Sequence, residues 1–198
     1  MTDITVLPVP PGHVACVITH MQMLERAPIR PATPPEGARI ERVERPDPDW
    51  YRALFRRVGE AYIWSSRLEM SDADLTAILH DPEVQVHALM VDGQAEGLME
   101  LDFRTMGECE LKFFGVSGPM IGTTAARALM NLAVILAWSR PITRFWVHTC
   151  TFDDQKAVPF YMRSGFVPYA REFEHQPDPR LKGLIPEHCA PQIPLVRP

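Results

Sequence analysis

A run of small residues between an apolar strand and an apolar helix is the first feature of this chain with chemical meaning. Residues 117–124 read Ser-Gly-Pro-Met-Ile-Gly-Thr-Thr. A strand that enters a helix through such a turn leaves backbone N–H groups without intrahelical acceptors, and the positive end of the helix dipole adds to them. That combination binds anions, most often phosphate. Gly122, Thr123, Thr124 and Ala125 supply amides with little steric bulk, and the two threonine hydroxyls can add contacts of their own. A second constellation is His148 and Cys150, i to i+2 on one strand face, as in a metal-ligand pair or a Cys–His nucleophile. No third ligand is spaced to complete it, and Glu187-His188-Cys189 falls in a Pro-rich tail, so strand packing accounts for the pair and no metal is expected.

The elements that must position these groups can be traced by periodicity. Residues 14–19 are rich in β-branched side chains and predict a first strand. Asp49 is placed to cap a helix over 50–58, in which Tyr51, Leu54, Phe55 and Val58 form an apolar stripe. Ser71 with Asp74 three residues later opens a second helix over 72–80. Asp92-Gly93 joins strands at 84–91 and 95–103 as a type I′ hairpin. A strand over 108–116 leads into the small-residue turn, with Glu108, Glu110, Lys112 and Phe114 on one face and Cys109, Leu111, Phe113 and Gly115 on the other. An apolar helix to Trp138, a strand over 143–148, a short helix carrying Tyr161 and a last strand over 165–173 follow.

Bulk composition narrows the function. With 198 residues the chain is one domain or one domain with long arms. Nine of its 20 prolines precede residue 49 and six follow residue 176. That division gives a strand and Pro-rich arm over 1–48, packed on the main domain, then a core over 49–175 and an irregular tail over 176–198. A net charge of −5 without a Lys/Arg-rich block argues against nucleic acid as a partner. The longest apolar run, 125–138, is shorter than a membrane span and contains Arg127 and Asn131, so no membrane is expected. Four scattered cysteines and no apolar leader suit a cytoplasmic location with free thiols.

The order strand, small-residue turn, helix, strand, Tyr-bearing helix and Gly-Phe resembles the core of the GNAT N-acetyltransferase superfamily. Ala157-Val-Pro-Phe-Tyr-Met-Arg-Ser-Gly-Phe166 is similar to that family's A-x-x-x-Y-x-x-x-G-F segment. Ile121-Gly-Thr-Thr-Ala-Ala126 lies where the family carries Q/R-x-x-G-x-G/A; Thr124 stands at the first motif glycine, Ile121 at the Gln or Arg, and Ala126 matches the closing small residue. The resemblance covers 49–173, and 14–24 more loosely. It implies an α/β fold with a mixed, mostly antiparallel sheet and helices on both faces.

It also implies an acetyl-CoA-dependent N-acetyltransferase that moves an acetyl group to an amine by direct attack in a ternary complex. Phe114, Val116, Ile121, Gly122, Thr123, Thr124 and Ala125 would hold the acetyl-CoA, with the Val116 N–H on the thioester oxygen. Tyr161 would be the acid that protonates the departing thiolate. Glu110 is the first choice for the base, ahead of Glu108 and Glu100, on the expectation that partial burial raises a carboxylate toward neutrality. Trp64, Arg67 and Glu100 fall where the acceptor would bind, and Arg67 there would suit a carboxylate-bearing acceptor. The acceptor is a small-molecule or peptide amine, and Pro-rich arms are compatible with a homodimer. The alternative is a catalytically silent acyl-CoA-binding or interaction module on the same fold.

Overall fold

The computed structural model of the protein describes residues 4–198. Seven strands form one sheet: β1 (His13–Met23), β2 (Ala38–Val43), β3 (Val84–Val91), β4 (Gln94–Asp102), β5 (Glu108–Val116), β6 (Arg144–Cys150) and β7 (Val167–Pro177). Their order is β2-β3-β4-β5-β6-β1-β7, antiparallel except for the β5–β6 pair. The mixed sheet and the helices on both faces are the expected α/β fold. The Asp92-Gly93 hairpin has positive φ at both residues, as a type I′ turn requires.

Four α-helices among the described residues cover the sheet: α1 (Pro48–Gly59), α2 (Asp72–Leu79), α3 (Ala125–Ala137) and α4 (Ala157–Arg163). Two apolar cores result, one on each face. Tyr51, Leu54, Phe55 and Leu75 from α1 and α2 pack with Val86 and Leu98 on one face. Leu129, Ala133 and Tyr161 from α3 and α4 pack with Met99, Leu111, Phe145 and Phe166 on the other. The cap of α1 is Asp47, two residues before the expected Asp49; its carboxylate accepts from the N–H groups of Asp49 and Trp50, and Pro48 fills the first helical position. Ser71 accepts from the Asp74 N–H as anticipated. Pro159 lies in the first turn of α4, where no intrahelical donor is missed.

Three features go beyond the sequence reading. β2 runs inside the Pro-rich stretch; its charged residues, Arg39, Glu41 and Arg42, mark an edge strand rather than a buried one. β1, the expected first strand, is an inner strand of the sheet, hydrogen-bonded to β6 on one side and β7 on the other. β7 continues to Pro177, and the segment beyond it, although without regular structure, buries Ile185, Cys189 and Ala190 against the α1-side core.

β5 does not keep strict alternation. Glu100 pairs with Phe113 but Leu101 pairs with Leu111, so Lys112 is the extra residue of a β-bulge. Glu110 and Phe113 therefore share the α1 face, while Phe114 joins Leu111 on the α3 face. The expected grouping of Phe114 with Glu110 fails because the bulge adds one residue to a period of two. The same bulge turns β5 away from β6. Their parallel pairing covers only Glu108, Glu110 and the Cys109 between them, opposite Arg144, Trp146 and Phe145, and beyond it the strands separate.

Candidate active site

The separation of β5 from β6 opens a cleft of about 720 Å³ that runs from the α3 face of the sheet to the α1 face. Ser117 donates its N–H to Glu96 O on β4. Amides alternate along a strand, so the N–H groups of Val116 and Phe114 point the other way, into the gap. Phe114, Val116, Ile121, Gly122 and Thr123 line the cleft together with Ala126.

At one end of the cleft the chain turns from β5 into α3. Gly122 has φ +84 and open space where a Cβ would stand. The N–H groups of Gly122, Thr124, Ala126 and Arg127 meet no acceptor among the described residues. These amides, with the first turn of α3, form an anion cradle. The threonine hydroxyls are engaged elsewhere: Thr123 donates to Met120 O and accepts from the Ala125 N–H, and Thr124 donates to Thr33 O on the arm that crosses α3. Ala125 is buried and its amide already bonded, so of the expected cofactor residues it shapes the turn, while Thr124 turns its side chain to the arm and leaves only its backbone N–H free.

Cations missing from the sequence reading gather beside this turn. Arg127 and Arg163 line the cleft. Burial pushes the Arg127 guanidinium down from its ordinary value, helped by the like charges of Arg30 and Arg163. No run of basic residues announces the group, because its members come from the arm, from α3 and from the end of α4. The residues therefore fit a diphosphate-bearing ligand such as coenzyme A, with amides for the oxygens and three arginines for the charge.

Tyr161 lies at the waist of the cleft, on α4 against Phe114, Phe160 and Phe166. Its hydroxyl has no hydrogen-bond partner among the described residues. Burial holds the phenol proton well above its usual range, and the charge of Asp153 adds to the effect. Asp153 was not anticipated. It accepts from Trp64 Nε1 (3.2 Å), Thr149 Oγ1 (2.6 Å) and the Cys150 N–H (3.0 Å), and so ties the Trp64 side of the cleft to β6.

The expected acceptor residues are arranged in two layers. Trp64 and Arg67 line the α1 side of the cleft with Tyr62, Phe113 and Phe152. Ile63, at φ +61, turns the chain so that Trp64 folds back over Gly59. Glu100 is fully buried behind this wall, where it accepts from Arg67 and from the Tyr51 hydroxyl. The Arg67 charge is thus already matched inside the protein, and a carboxylate-bearing acceptor has no free guanidinium there.

Glu110 lies off the cleft, in a neighbouring polar depression with Asp102, Arg104 and Trp146. Burial alone would push its carboxyl up. Hydrogen bonds and charges from His148 and Lys112 outweigh that and hold it below its ordinary range, opposite to the direction expected of a base. Its Oε1 lies 3.4 Å from Nδ1 of His148, and it is His148 that faces the cleft, half exposed. The i to i+2 pair singled out in the sequence does share one face, but its partner is a carboxylate from β5. No group of His, Cys, Asp or Glu among the described residues is arranged to hold a metal ion.

No helix among the described residues is long and apolar enough to cross a membrane. Several solved structures share the architecture. A GCN5-related N-acetyltransferase from Sphaerobacter thermophilus is 18% identical with a TM-score of 0.64, over 85% of this chain and 52% of that one. A GCN5-related N-acetyltransferase from Kribbella flavida is 16% identical with a TM-score of 0.56, over 87% of this chain and 63% of that one. The chain thus spans about half to two thirds of the length of these relatives. An aminoglycoside acetyltransferase from an uncultured soil metagenomic sample, in complex with trehalose, is 13% identical with a TM-score of 0.55, over 66% of this chain and 88% of that one. No curated protein matches the sequence. The model of the Acetyltransferase (GNAT) family matches residues 48–166, more than half of the chain, and these residues build the splayed strands, the anion cradle and the tyrosine helix: the protein belongs to the GNAT acetyltransferase family.

Proposed function

We propose that the protein is an N-acetyltransferase that takes the acetyl group from acetyl-CoA and passes it to an amine by direct attack. The observation that carries this reading is one continuous cleft that, among the described residues, has four unpaired amides and a group of arginines at its α3 end and an unpaired Tyr161 hydroxyl at its waist. Acetyl-CoA supplies an acyl carbonyl activated by a thiolate leaving group. The amides of Gly122, Thr124, Ala126 and Arg127, with the Arg127 and Arg163 side chains, hold its diphosphate. The Val116 N–H donates to the carbonyl oxygen, where negative charge develops as the amine attacks. Tyr161, kept protonated by burial, gives its proton to the sulfur as the C–S bond breaks.

The ammonium must lose a proton before it attacks. His148 faces the cleft and takes that proton, while Glu110 acts through His148, holding the imidazolium that results. Trp64 and Arg67 form the acceptor wall, and Glu100 fixes Arg67 from behind.

Thermal unfolding with and without acetyl-CoA tests the cofactor, since binding to the native state alone raises the melting temperature. Tyr161→Phe should retain that rise while thiol release with an amine acceptor falls on the order of 100-fold. No rise at millimolar acetyl-CoA would refute the proposal, and a rise with no turnover on any amine would leave a silent binder.

A further inference from the structure

The cleft is electrically lopsided, and its acceptor end is built for a cation. At the α3 end the charges facing the cleft are Arg127 and Arg163, with Arg30 beside them. On the α1 side both cations that reach the lining are matched: Arg67 by Glu100, and Lys112 by Glu110 at 3.1 Å. The β6–α4 loop brings one charge of each sign to the lining, Asp154 and Lys156, both exposed, with the Asp154 carboxylate accepting the Lys156 backbone N–H. Two carboxylates remain. Asp153 is held only by neutral donors, and Glu174 on β7 has no cation within ion-pair reach among the described residues.

Register places Glu174 on the acceptor side. It is paired with Cys16 of β1, and Cys16 belongs to the α1-side core. Both residues line the cleft, as does Ile18, which faces Cys150 across the β1–β6 pair. The lining of the same cleft includes the aromatic rings of Tyr62, Trp64 and Phe152, and the negative quadrupole of an aromatic face attracts an ammonium. Aromatic walls and an unmatched carboxylate point independently to the same ligand charge.

We infer that the acceptor is an amine bearing a second positive charge, a diamine or oligoamine, and that Glu174 is the residue that selects it by receiving the distal ammonium. The inference rests on the transferase reading and adds the acceptor class to it. Glu174 disfavours amino acids that attack through their amine with a free carboxylate toward it, since two carboxylates would then face each other.

Three acceptors of one chain length separate the possibilities: butylamine, 1,4-diaminobutane and 4-aminobutanoate, each with acetyl-CoA, thiol release being followed. The expected order of kcat/KM is diamine, then monoamine, then amino acid, with about tenfold or more between the first and last. Glu174→Gln should bring the diamine-to-butylamine ratio close to one through KM of the diamine rather than kcat, and Glu174→Lys should place 4-aminobutanoate ahead of the diamine. Equal turnover of all three, or an unchanged ratio in Glu174→Gln, overturns the charge selection while leaving a transferase. Turnover of none, with acetyl-CoA bound, overturns the transferase reading and the acceptor class together.

Discussion

His87 shows how burial can set a side chain's protonation in this sheet. It sits on β3, about 5% exposed, with Gln85 as its hydrogen-bond partner at 3.3 Å. Burial, aided by the Arg42 charge, lowers its pKa from 6.5 to about 4. The unfolded chain therefore takes up a proton at this residue from pH 6.5 downward while the folded protein refuses it until about pH 4. Stability from this group is complete above pH 6.5 and is lost progressively as pH falls toward 4, at about 1.4 kcal/mol per unit. Replacement by Leu, similar in volume, should remove that acid-side slope. Chemical denaturation at pH 7 and pH 5 should show the gap between wild type and His87→Leu shift by about 2 kcal/mol in favour of the variant at the lower pH. A constant gap would mean that His87 is protonated within the fold. The same physics separates Glu110 from its expected role: its burial is real, yet His148 and Lys112 supply more stabilisation of the anion than burial removes.

At the scale of elements, Gly59 decides where Trp64, in the proposed acceptor wall, stands. It ends α1 with a negative φ of −112, which other residues also adopt, so its lack of a side chain serves space and not backbone freedom. A Cβ there would lie 2.3 Å from the Trp64 ring. Gly59→Ala must push Trp64 off α1, which breaks the Trp64 Nε1 bond to Asp153 and loosens the packing on Phe55 and Phe113. The variant should lose about 1–3 kcal/mol of stability and raise the amine KM about tenfold while KM for acetyl-CoA stays within a few-fold. Steady-state kinetics in both substrates would show it, and equal rises in the two KM values would contradict the assignment of Trp64 to the acceptor side. Gly59 carries no mark in the sequence that distinguishes it from a helix stop. Elements as such were legible, because the hairpin at Asp92-Gly93, the Ser71 cap and the β5–α3–β6 order are local patterns. The bulge at Lys112 was not: a period of two is the default, and only the pairing with β4 reveals the extra residue. The arginine group was equally hidden, since charges remote in sequence meet only after the arm crosses α3.

For the molecule as a whole, the two ends of the chain close the sheet and its core. β1 is held between β6 and β7, more than 120 residues later, so the cleft's β6 wall exists only once both termini are in place. The stretch after β7 is fastened by Arg180, about 3% exposed, which forks onto Asp178 at 2.7 and 3.0 Å and donates to the carbonyls of Cys189, Ala190 and Ile193. This folds Ile185 and Cys189 against α1, beneath the segment that carries Trp64 and Arg67, and Lys182 reaches Glu69 in the same segment at 3.1 Å. The prolines that mark this stretch in the sequence speak against regular structure, and they say nothing against burial. Removing only the Arg180 charge leaves Asp178 ionised, buried and unpaired, which costs about 3–5 kcal/mol. In a domain of this size Arg180→Met should lower the melting temperature by roughly 10 °C. Adding Asp178→Leu should recover part of that loss, because the uncompensated charge is then gone as well. A decrease of less than about 2 °C in the single variant, or a further decrease in the double one, would show that the C-terminal stretch is not fastened through this pair.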